Sequence, residues 1–155
     1  MTARLAAIGR AVRRTEIAIA MAGMVVLVAS VLWGVVTRYV SHAPAVWTDE
    51  VAAIAFCWSC LLGAALLYGT SGHPSMYEAQ DIKSPRIRAA IFPLSAAIQL
   101  AVLAMLCFFA LEEAWENFDN PTSVLRLPTS IFYLPLAWFG LSAAARLVTR
   151  RNQWI

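Results

Sequence analysis

Three groups of residues have types and spacings that could do chemistry. Cys57-Trp58-Ser59-Cys60 has the C-x-x-C spacing of a dithiol redox centre, in which one thiolate attacks and the second resolves the mixed disulfide. Trp47-Thr48-Asp49-Glu50 sets an aromatic and two adjacent acids just before a long apolar run. His42 and His73 are the chain's two imidazoles, and imidazole is a common ligand for metals and haem iron. Whether any of these groups can act depends on the elements that carry them.

Those elements are set by an unusually apolar composition. Of 155 residues, 61% are hydrophobic and 14% charged, and the net charge is +3. Mean hydropathy is +0.67. This composition excludes an ordinary soluble domain. Cutting at the charged residues leaves gaps at 17–37, 51–77, 89–111 and 127–145, of 21, 27, 23 and 19 residues. A bilayer core about 30 Å thick needs about 20 apolar residues of helix, so each gap holds one crossing. Gly69, Gly72 and Pro74 trim the second to about 51–70. The expected fold is an all-α integral membrane domain of four transmembrane helices, filling residues 1–155 as one unit. The first apolar run exceeds the 7–15 residues typical of a signal peptide's core and is read as a retained helix.

Ten of the twelve Lys and Arg residues fall in the N-terminal segment, the 71–88 loop and the C-terminal tail. The positive-inside rule then places both termini in the cytoplasm. The opposite loops, 38–50 and 112–126, hold Asp49, Glu50, Glu112, Glu113, Glu116 and Asp119. The excess of positive charge is thus a topology signal, and no nucleic acid partner is expected. The 74–88 segment is a candidate short interfacial helix, with Pro74 at its start and Met76, Tyr77 and Ile82 as apolar contacts.

A carrier that works alone usually keeps a charge or a broken helix at the bilayer midplane. The four gaps carry no charge. Gln99, near the centre of the third, is read as an interhelical hydrogen-bonding group rather than a solute ligand. Pro135 is placed mid-span in the fourth helix, as a simple kink whose freed carbonyl a neighbour satisfies. The thiols fare poorly as a redox centre. Cys57 lies about 9 Å below the outer surface at helical rise, and apolar surroundings suppress the thiolate. Ser59 with Gly63, and Cys60 with Ala64, are small-x-x-x-small pairs that let helices approach. A four-helix thiol oxidoreductase using Cys57 and Cys60 is the alternative function. The histidines lie in loops, where they cannot ligate haem within a bundle, and neither a metal nor a cofactor is expected.

The first helix runs outward and the second returns, so Arg38 and Glu50 share one membrane level. A carboxylate beside the bilayer is costly unless paired, and Arg38 is the cation of its loop. A pair between them is expected, directly or across a partner chain. Asp49 and Glu50 can equally be solvated acids favoured by the helix N-terminus. Trp47 fits the aromatic belt at the membrane interface.

Read in order, Arg38-Tyr39-Val40, Trp47-Thr48-Asp49-Glu50-Val51-Ala52, Trp58 with Leu62-Gly63-Ala64-Ala65, Gly72-His73, and Leu127-Pro128 with Tyr133-Leu134-Pro135 form a recognisable series. It resembles the small membrane subunit of tripartite ATP-independent periplasmic (TRAP) transporters, the DctQ type. The resemblance implies a bacterial inner-membrane scaffold without catalysis, serving a sodium-coupled secondary transporter of organic acids or similar solutes. Its partners would be a large elevator-type membrane subunit (DctM type), a periplasmic solute-binding protein and membrane lipids. Arg38, Trp47, Glu50, Trp58 and Gly63, with Pro128 and Pro135, would hold the subunit together or fix it to its partner, and His73 would lie at the inner end of the second helix. Trp115 and Phe118 in the acidic outer loop invite two readings, a docking surface or a solvated polar extension of the third helix, and the second is favoured.

Overall fold

The computed structural model describes residues 2–68 and 85–151. They form four helices, α1 (Thr2–Tyr39), α2 (Trp47–Tyr68), α3 (Pro85–Glu116) and α4 (Leu134–Arg151), with a short 3-10 turn at Thr129–Phe132 before α4. Each includes or forms most of a segment long and apolar enough to cross a membrane. The four crossings expected from the charge-free gaps are therefore present.

Their ends differ from the gaps. α1 has 38 residues and spans about 57 Å at helical rise, well beyond the hydrocarbon core. α3 continues through Glu112 and Glu113 to Glu116. Charges mark where a helix leaves lipid; they do not end it. α4 begins at Leu134, several residues later than the gap at 127–145, because Pro128 and the 3-10 turn occupy its first part. Pro135 is therefore in the first turn of α4, where the missing N–H is not needed, and the mid-span kink is not formed. Its side chain is fully buried. Among the described residues, the proline in a helix interior is Pro93 of α3.

Packing order differs from chain order. α1 lies along α2, α2 packs on α4, and α4 packs on α3. Among the described residues α1 and α3 share no packed face, so the four helices form a row rather than a closed ring. Small residues set the α1–α2 distance at two levels. A Cβ on Gly23 would meet Ser59 Oγ at 2.4 Å, and one on Gly34 would meet Thr48 Oγ1 at 2.9 Å. Both pairs are eleven residues apart in each helix, about three turns, as an antiparallel ladder requires. α3 and α4 meet at Gly140, whose Cβ would lie 2.9 Å from the Leu103 carbonyl and 3.0 Å from Cys107 Cβ. Tyr68 and Phe139 join α2 to α4 edge-to-face at 5.9 Å.

The α1–α2 connection is tied by two threonines. Thr37 accepts the Ala45 N–H at 3.3 Å. Thr48 donates to the Ala45 carbonyl at 2.7 Å. His42 sits between them in the left-handed region at φ 50°.

Candidate functional site

Glu50 lies in the first turn of α2, where the helix dipole favours an acid. Its carboxylate does not reach for Arg38. One oxygen accepts the Val124 N–H at 2.8 Å and the other accepts the Leu125 N–H at 2.8 Å. Among the described residues the ion pair formed is Arg146 with Glu16, so the direct Arg38–Glu50 pair is not made. The physical reason is the loop that follows α3. Pro121 and Pro128 pair as an isolated antiparallel bridge. The Thr122 N–H donates to the Leu127 carbonyl at 2.7 Å, and Arg126 adopts φ 53° to close the turn. The tip of this small hairpin presents two successive N–H groups, and a carboxylate satisfies both at once. Arg38 and Trp47 remain exposed.

Trp58 serves a related purpose deeper in the fold. Its indole N–H donates to the Ile131 carbonyl at 3.2 Å and ties α2 to the 3-10 turn. Pro128 precedes that turn with extended backbone at φ −56° and ψ 129°. Glu50, Trp58, Pro128 and Pro135 thus all act on the connection between α3 and α4, although they are spread over more than 80 residues of sequence. Gly63 does not join them. Its Cβ position has nothing within 4 Å, so the close approach assigned to it within the chain belongs instead to Gly23, Gly34 and Gly140. Ser59, its small neighbour, faces Gly23. His73 and most of the 74–88 segment lie outside the described residues.

The cluster that sequence reasoning missed lies between α1 and α4. Glu16 is 2% exposed. One of its oxygens accepts from the Trp138 indole at 2.9 Å and from the Ser142 hydroxyl at 2.7 Å. The other is paired with the Arg146 guanidinium, which also donates to the Ala65 carbonyl of α2. Trp138, Ser142 and Arg146 are spaced by four and so share one face of α4. That four-residue ladder of polar groups was visible in the sequence; its target on α1 was not. Glu16 and Trp138 also line, with Thr15, Ile19, Trp58 and Leu62, a mostly apolar cavity of about 240 Å³.

What this arrangement can do is hold helices. The thiols of Cys57, Cys60 and Cys107 are free, Cys60 is exposed on α2, and Cys107 packs against Gly140. Among the described residues no three His, Cys, Asp or Glu side chains come together as a metal site. Among the described residues, Glu16, Trp58, Trp138, Ser142 and Arg146 join one helix to the next.

Comparison with known proteins agrees with this picture. The family model described as "Tripartite ATP-independent periplasmic transporters, DctQ component" matches residues 27–153. The sialic acid TRAP transporter small permease protein SiaQ of Vibrio cholerae serotype O1 is 25% identical over 148 residues, covering 83% of this chain and 86% of its own length. A helix-joining architecture and a family match over most of the chain lead to one conclusion: this protein belongs to the DctQ family, the small permease component of TRAP transporters.

Proposed function

We propose that this chain is the scaffold subunit of a sodium-coupled, binding-protein-dependent secondary transporter, fixed in the inner membrane beside a large elevator-type subunit that carries solute and ions. Its solute is an organic acid or a similar anion. Sialic acid, which the Vibrio relative's name carries, is one such acid. A periplasmic solute-binding protein delivers the solute, and both termini of this chain face the cytoplasm.

The observation that supports this reading is the fate of the charges. No charged residue lies between Glu16 and Arg38, between Glu50 and Glu78, or between Arg88 and Glu112. The buried acid that borders these runs, Glu16, is consumed by Arg146, Trp138 and Ser142. A solute or ion site at the midplane is usually built on charged ligands that are free to exchange partners, and the Glu16 carboxylate is committed to the fold.

The test is purification from cells that produce all three components. An affinity-tagged form of this chain, extracted in mild detergent, should bring down a large polytopic membrane protein, and uptake should require both. A chain that purifies alone and transports solute alone in liposomes would defeat the reading.

A further inference from the structure

One residue does not follow the pattern of internal satisfaction. Gln99 lies eleven residues past Arg88 and thirteen before Glu112, which places its amide near the bilayer midplane at helical rise. Trp58, Ser59, Trp138, Ser142 and Glu16 all have hydrogen-bond partners within the chain. Gln99 is exposed, and among the described residues its amide has none. α3 packs on α4 and on the 3-10 turn, and its stripe of Leu103, Ala110 and Ala114 is buried at 2%, 2% and 7% exposure. Gln99 borders that stripe and shares its face with Val102 and Leu106, one and two turns on.

Hydrocarbon cannot satisfy an amide that both donates and accepts, and leaving one unpaired there is strongly unfavourable. Lipid tails are therefore a poor cover for this face. We propose that the Gln99 face of α3 is a contact with a transmembrane helix of the large membrane subunit, which supplies a hydrogen-bonding side chain or a free backbone carbonyl to the Gln99 amide. The proposal rests on the scaffold reading given above and adds a place and a chemistry to it. The family is described as one component of a tripartite transporter, and the Vibrio relative's name, small permease protein, points to a larger one. That partner, rather than a second copy of this chain, is accordingly the occupant.

Two measurements on the complete transporter test this together. A photo-crosslinking residue at position 102 should capture the large subunit in preference to one at position 108, on the far side of α3, where Phe108 is 63% exposed. Gln99→Leu should lower the yield of co-purified large subunit about three- to twentyfold, the loss of one interhelical hydrogen bond in a membrane. The lone chain's unfolding temperature should not fall, since Gln99 bonds nothing within it. The proposal is overturned if position 102 captures only lipid or a second copy, if position 108 captures the large subunit as well as 102 does, or if Gln99→Leu leaves the yield unchanged. Wild-type protein that still brings down the large subunit in those cases leaves the scaffold reading standing; wild-type protein that brings down nothing removes both.

Discussion

Two carboxylates show how one residue type serves different ends. Glu16 is buried and pairs with a cation 130 residues away in the sequence. Removing one member of a buried pair leaves the other uncompensated, at a cost of about 3–5 kcal/mol. Glu16→Ala and Arg146→Ala should each lower the unfolding temperature of the purified chain sharply, and the exchanged pair Glu16→Arg with Arg146→Glu should recover part of the loss. Two destabilised singles with no recovery in the exchange would mean that Trp138, Ser142 and the Ala65 carbonyl recognise the pair's direction, not only its charge. Glu50 sits at the surface and holds backbone instead of a side chain. Glu50→Ala should speed hydrogen exchange at the Val124 and Leu125 amides, while Glu50→Gln, which keeps an acceptor, should do so less. Arg38→Glu should leave both amides as they are, and faster exchange in that variant would restore the Arg38–Glu50 pair to consideration.

At the level of helices, the crossings were legible in the sequence because a lipid core tolerates charge poorly and the gaps between charges have the right length. Helix ends were not legible by the same rule. Glu112, Glu113 and Glu116 leave the lipid but stay on α3, and Arg10, Arg13 and Arg14 do the same on α1. The partner of Glu16 was hidden for a related reason: an acid that borders an apolar run looks the same whether it meets water or a distant arginine. Small residues posed a different problem, since spacing shows that a face is narrow but does not show which neighbour uses it. The chain places its own tight contacts at Gly23, Gly34 and Gly140. Gly23→Val would drive a side chain into Ser59 and should destabilise the lone chain, with overpacking of this kind costing about 1–3 kcal/mol. Gly63→Val should leave the lone chain's unfolding temperature nearly unchanged, because nothing lies within 4 Å of that Cβ. If Gly63→Val unfolds the chain, the open space around Gly63 is not what the protein uses in solution.

For the molecule as a whole, the row of helices explains why the family reading and the residue reading agree. A closed bundle buries its polar groups around a central axis, where they can form a site. A row exposes both broad faces and uses its polar groups as ties between neighbours: Trp58 to the 3-10 turn, Glu50 to the hairpin, Arg146 to α1 and α2. The C-x-x-C was the most suggestive chemical motif in the sequence, and it sits within α2 with Cys60 exposed and Cys57 half-buried. The ordered series from Arg38 to Pro135 proved more informative than any single motif, because it follows the architecture.

The packing order α1–α2–α4–α3 has a consequence for biosynthesis. A chain emerges from the ribosome in order, so α1 and α2 can pair as soon as both are in the membrane. α3 enters next and finds no face prepared for it, since its neighbour in the row is α4. Until α4 follows, α3 lacks its packing partner, and the Glu16 carboxylate waits on α1 for its arginine. α4 therefore completes three junctions on arrival, to α1, α2 and α3. The junctions of α1, α2 and α3 with α4 are thus open until α4 has entered, and that interval is when an insertase or a partner subunit has the most to shield.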